Sequence, residues 1–246
     1  MKKANIPLRV GTRNRLYHWL TCNKLVSLSR KNSSLHEAEL NIRLAEPLVL
    51  TASFPPLNEL HRYYGFTRFP ALPKHFSSML DKKRFNLILH PKSQGSAPEW
   101  SEAHYKRLLT LLPAERFNII LTGTEAEGKQ VPGLRESVRE RGGYDLAGQT
   151  TLEELIGLIA RANGLLASST GPLHIAAALG KNTLGLFAPI RPMHPARWQP
   201  LGAKASVLAR DKNCNACQGE KPCACIDSIT PEEVADVVIS WLESEQ

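Results

Sequence analysis

From Phe85 onward the chain alternates short apolar runs with amphipathic stretches, and no other feature restricts its fold as much. A parallel sheet joined by crossover helices has this pattern, because each strand is buried on both faces and each helix on one. Phe85–Leu89 reads as a strand, Glu102–Leu112 as a helix capped by Ser101, and Phe117–Leu121 as the next strand. A short helix is expected from about Pro132 to Arg141. Thr150-Thr151-Leu152-Glu153 has the form of a capping box, with Leu152, Leu155, Ile156 and Ile159 at helical spacing to form its buried face. Gly164–Ala167 and Thr183–Phe187 read as further strands, and Thr230-Pro231-Glu232-Glu233 opens a final helix. These elements predict an open, doubly wound domain whose ligand crevice lies outside the carboxyl ends of its strands.

The first 75 residues read differently. Leu8–Val10 and Leu25–Ser27 look like strands, and the stretch holding Pro55, Pro56, Pro70 and Pro73 looks like a linker between domains. Residues 1–45 carry nine Lys or Arg and only Glu37 and Glu39, a net of +7 out of +8 for the 246 residues. Such a face attracts the phosphates of a membrane surface, an anionic lipid or a nucleic acid, or is simply solvated. Glu37 and Glu39 fall in an ordinary helical pattern and read as surface charges. No export signal is legible at the start, because Arg9, Arg13 and Arg15 interrupt any apolar run. No apolar stretch reaches the ~18 residues of a membrane span, so a cytoplasmic location is expected. Basic and aromatic residues do not interleave as in nucleic-acid modules, and nucleic acid is not expected as a partner.

The segment Ser169-Thr170-Gly171-Pro172-Leu173-His174 carries the most chemistry. A strand ends, hydroxyls and a glycine follow, and a helix begins, so unpaired backbone N–H groups and the positive end of a helix dipole converge on an anion site suited to a diphosphate. Any strand-to-helix turn can share that form, and a histidine on an Ala-rich helix is often only packed. A second cluster, Cys214, Cys217, Cys223 and Cys225, sits between the last strand and the final helix. Such clustering favours a metal over a disulfide, and zinc and a loop without metal are the two readings: one pair has knuckle spacing, while the other is separated by a single residue.

Ser168 to Gly180 followed by Thr183-Leu184-Gly185-Leu186-Phe187-Ala188-Pro189 closely resembles the donor-binding signature of glycosyltransferase family 9, the heptosyltransferases of lipopolysaccharide core assembly. Leu89-His90-Pro91-Lys92-Ser93-Gln94-Gly95-Ser96 with Glu99-Trp100, Leu121 to Glu127, and Ile6 to Gly11 agree with it in order and spacing. The resemblance implies a GT-B architecture of α/β class: a Rossmann-like donor domain over residues 79–228, a partial acceptor-side α/β domain and linker over 1–78, and a C-terminal helix over 229–246. It implies a donor pocket in which Lys92, Ser93, Gln94, Gly95 and Ser96 line the diphosphate. Glu127 would approach the nucleoside, and Ser169, Thr170, Gly171, Pro172, Leu173 and His174 would complete the pocket. The implied reaction moves a heptosyl or related residue from a nucleotide-diphosphate sugar, such as ADP-heptose, to anionic lipopolysaccharide core, with no cofactor required and with peripheral contact at the inner membrane.

Ser169 and Pro98 depart from the family pattern, which often has an acidic and a basic residue there, and Lys92 could replace the missing cation. The aspartate base that the family carries early in its acceptor domain has no match in residues 1–45. The expectation is a chain that begins inside the acceptor domain, with no catalytic residue assigned. An inactive nucleotide-sugar-binding remnant is the alternative.

Overall fold

A computed structural model describes residues 4–30, 33–48, 54–190, 193–210 and 223–243. It begins with β1 (Val10–Thr12), α1 (Leu16–Thr21), β2 (Lys24–Val26) and α2 (Glu37–Leu44). β1 and β2 form a two-stranded parallel sheet with Gly11 opposite Leu25. These strands start two residues later and one residue earlier than their apolar character suggested: ahead of β1, Arg9 N donates to the Asn23 side chain at 2.8 Å, and Arg9 O accepts from Asn23 N at 3.0 Å and Lys24 N at 3.1 Å. 3-10 turns at Glu46–Leu48 and Leu57–Tyr63 lead to the short α3 (Lys74–Ser77). The proline-rich stretch is laid along the following domain: Phe76 is buried among Ile88, Ile120 and Leu158, and Arg161 sits over the Phe69 ring.

The remaining chain runs β3 (Phe85–His90), α4 (Glu102–Leu111), β4 (Phe117–Leu121), α5 (Glu125–Gly128), α6 (Pro132–Glu140) and β5 (Tyr144–Asp145). It continues through α7 (Leu152–Arg161), β6 (Gly164–Ser168), α8 (Gly171–Ala178), β7 (Asn182–Phe187), α9 (Pro195–Trp198), β8 (Ala205–Ala209), α10 (Ala224–Asp227) and α11 (Pro231–Ser240). Six strands pair in parallel in the order β5-β4-β3-β6-β7-β8. The chain thus winds one way from β3 to β5, then restarts on the other side of β3. The two halves part between β3 and β6, the place where an open α/β sheet leaves a crevice at its carboxyl edge.

Period-two geometry sorts the side chains into two cores. Leu87, Leu89, Ile119 and Leu121 face α4, α6 and α11, where Leu108, Leu134 and Val238 are fully buried. Ile88, Ile120 and Leu165 face α7 and α8. The final helix belongs to the first core: Trp241 stacks on Phe85 at 5.9 Å, and the Trp100 indole N–H donates to Ile229 O at 2.9 Å.

The α7 capping box lies one residue beyond the expected one, since the Thr151 hydroxyl accepts from Glu154 N while Glu154 accepts from Thr151 N. Its buried face is shifted as well. Leu152 is 61% exposed, while Leu158, Ile159 and Ala162 enter the core with Leu155 packed against them. The same i, i+3, i+4, i+7 spacing therefore begins at Leu155, past the helix's first turn.

Candidate functional site

The loop after β3 is shaped by its own polar groups. Ser93 N donates to Glu99 Oε1 at 2.7 Å, and Ser93 Oγ lies 2.8 Å from Ala97 O. Gln94 and Gly95 both adopt left-handed backbone angles, φ 51° and 78°, and Ser96 N closes the turn on Ser93 O at 3.0 Å. Two successive left-handed residues make a tight turn that favours glycine at the second position and strains the first. Lys92 forms an ion pair with Glu99, so the cation offered as a phosphate partner is already shared with a carboxylate of its own loop.

Across the gap, β6 ends at Ser168 and α8 starts after Thr170. Ser96 Oγ donates to Ser169 O at 3.2 Å, fastening the β3 loop to the β6 loop at the switch point. α5, α7 and α11 close their N-termini with capping boxes, whereas no side chain caps α8. Its leading N–H groups and dipole are left for an outside acceptor. Ser168 Oγ, fully buried beneath this turn, has no hydrogen-bond partner among the described residues. Gly171 is exposed, and a Cβ placed there meets nothing within 4 Å, which leaves the backbone open to close approach. Leu173 departs from its expected place: its side chain is fully buried in the α7–α8 core, so only its backbone can face the crevice.

Glu127 lies on α5 past the carboxyl end of β4, 4% exposed, with Oε2 accepting from Thr124 N at 2.7 Å and Thr124 Oγ1 at 2.9 Å. Its capping duty holds the carboxylate in place. Beside it, at the last position of β3, buried His90 shares a 2.9 Å hydrogen bond between Nδ1 and Thr122 Oγ1. Burial pushes the His90 pKa below its ordinary value, against the opposing pull of the Glu127 charge. In the sequence His90 stands within the longer Leu89–Ser96 run, and a histidine closing an apolar strand is itself a signal.

His174 projects from α8 and meets Trp198 of α9 edge to face at 6.5 Å. Burial lowers its pKa, and so does the charge of nearby His36. His36 caps α2 through Nδ1, which accepts from Ala38 N at 3.1 Å, leaving Nε2–H to donate to Gln199 O at 2.9 Å. Burial lowers the His36 pKa too. Glu37 is no surface charge. Its side chain is 14% exposed and pairs with Arg30 at 2.5 Å and with Arg197 of α9 at 2.9 Å. The ends of α2 and α9 are thereby clamped beside the crevice.

Residues 29–225 match the family model described as glycosyltransferase family 9 (heptosyltransferase). The chain belongs to that family. Lipooligosaccharide heptosyltransferase 2 of Haemophilus influenzae is 31% identical over 118 residues, 46% of this chain and 33% of the relative. Lipopolysaccharide heptosyltransferase 2 of Salmonella typhimurium is 29% identical over 160 residues, 61% of this chain and 44% of the relative. These matches span between a third and a half of the length of the two curated relatives. The solved ADP-heptose lps heptosyltransferase II of E. coli superposes with a TM-score of 0.67 at 22% identity, over 98% of this chain and 72% of that one. That likeness places this family 9 chain in the α/β fold of the heptosyltransferase structures.

No group of three or more His, Cys, Asp or Glu side chains among the described residues could hold a metal ion. Cys214 and Cys217 of the cysteine cluster lie outside the described residues, whereas Cys223 is buried in the first core and Cys225 packs against it. No described helix is long and apolar enough to cross a membrane.

Proposed function

We propose that this family 9 chain serves the transfer of a heptosyl residue from ADP-heptose to the lipopolysaccharide core, working on the cytoplasmic side of the inner membrane. The observation that carries the reading is the uncapped N-terminus of α8, tied through Ser169 to Ser96 of the β3 loop at the sheet's switch point. A sugar diphosphate laid there receives the α8 N–H groups on its oxygens, with the Ser168 and Thr170 hydroxyls close by. Gly171 lets it come near, and Pro172 sets the first turn of the helix without adding an N–H.

As the sugar carbon–oxygen bond breaks, negative charge grows on the departing diphosphate. Donors already aimed at that point stabilise it without reorganising. Glu127 reaches towards the nucleoside from α5, and Ser93, Gln94, Gly95 and Ser96 form the opposite lip, with Lys92 held by Glu99. His174, kept neutral by burial, offers a hydrogen bond to the sugar without adding charge. The acceptor hydroxyl attacks from the side of residues 1–78, the acceptor-side unit, where the basic segment draws in the anionic core and the membrane that bears it. The C-terminal helix α11, Pro231–Ser240, completes the donor domain of residues 79–228.

Incubation with ADP-heptose and heptose-free core, followed by mass spectrometry, tests the reaction: the acceptor gains one heptosyl mass. Transfer from a UDP-sugar, or an unchanged acceptor, contradicts the assignment.

A further inference from the structure

Three neighbouring strands of the large sheet are entered past arginines. Arg116 immediately precedes β4, Arg84 immediately precedes β3, and Arg161 ends α7 just before β6. The sheet order β4-β3-β6 sets the three side by side at the amino edge. Arg84 and Arg116 extend the register that pairs Phe85 with Phe117, and Phe85 N donates to Arg116 O at 2.8 Å. With Lys82 and Lys83 they line a cavity of about 380 Å³.

Asp81 is the one carboxylate among the described residues of that lining, and it is already engaged. Its Oδ1 accepts from Lys83 N at 2.7 Å and Arg84 N at 3.0 Å, and its Oδ2 accepts from Arg84 Nε at 2.8 Å. Arg161 donates to Gly157 O at 2.9 Å and to Pro70 O at 3.3 Å and lies over the Phe69 ring, all uncharged partners, and it makes no ion pair among the described residues. The Lys82, Lys83 and Arg116 side chains make no hydrogen bond or ion pair among the described residues. Like charges side by side at the start of paired strands, as Arg84 and Arg116 stand, oppose folding, and Arg116 gains no ion pair among the described residues in return. A concave wall of one sign concentrates its field, and arginine forks match phosphate oxygens.

We infer that this amino-edge cavity binds a phosphate-bearing anion, at the end of the sheet opposite the donor crevice. The inference is independent of the heptosyl reading, since the crevice at the carboxyl edge shares no residue with it. Soluble phosphates and lipid phosphate headgroups carry the same chemistry, and two probes tell them apart.

Calorimetric titration of the full chain with inorganic pyrophosphate, and flotation with phosphatidylcholine vesicles with and without phosphatidic acid, form the test. The double variant Lys83→Glu/Arg116→Glu alters exposed side chains, and Arg116→Gln alone is the milder control. Both should melt like the parent chain. A soluble ligand appears as a pyrophosphate site weakened at least about tenfold in the double variant and retained in Gly171→Val, whose change lies in the other crevice. A headgroup ligand appears as phosphatidic-acid-dependent flotation lost in the double variant. Pyrophosphate and vesicle binding that both ignore Lys83→Glu/Arg116→Glu, or that are both absent, overturn the inference.

Discussion

Glu37 of α2 accepts hydrogen bonds from Arg197 Nε at 3.1 Å and Nη2 at 2.9 Å, joining residues 160 positions apart in the chain. Arg30 holds the other carboxylate oxygen. Glu37→Gln leaves two guanidinium groups around a neutral amide, and a charged group losing its partner in a half-buried setting costs about 1–3 kcal/mol. Urea denaturation should show that loss, and Glu39→Gln, which removes only the carboxylate closing the α2 cap, should show less.

His36, His90 and His174 all have pKa values held below the ordinary 6.5, chiefly by burial. The unfolded chain therefore takes up protons before the folded chain does as the pH falls. Stability is highest above about pH 6.5 and declines as the pH drops through the window down to the folded-state values. Denaturation midpoints at about pH 7.5 and 5.5 should show this decline, which should shrink in His90→Gln. An equal or higher midpoint at the lower pH contradicts the burial account.

Gly202 lies against α8: a Cβ added there would stand 2.6 Å from Ala177 O and 3.1 Å from Ala177 C. The obstacle is helix backbone and cannot swing away. Gly202→Ala should destabilise the chain by about 1–3 kcal/mol, seen as a lowered melting temperature.

Legibility of the fold followed locality. β3, β4 and α11 could be read from apolar runs and a cap whose partners lie within a few residues, such as Thr230 with Glu233. The two-residue β5 was missed because Tyr144–Asp145 is too short to show a period, and β8 because Ala205–Ala209 alternates weakly. At the candidate site the Ser169–His174 turn was visible as a strand-to-helix junction. The burial of Leu173 depends on how α8 lies over the sheet, and the role of Glu37 on α9, far along the chain, so neither had a local signal.

The most direct measurement follows the melting temperature of the chain with and without ADP-heptose, for the parent and for Gly171→Val. Gly171 has open space around its missing Cβ and no positive φ, so a side chain added there starts out into that space rather than into a neighbouring element. The predicted result is a rise with ADP-heptose in the parent, none with a UDP-sugar, and loss of the rise in the variant while its unliganded melting stays within ~1 kcal/mol of the parent. A parent chain that ADP-heptose does not protect, or a variant protected equally well, contradicts the placement of the sugar diphosphate on α8.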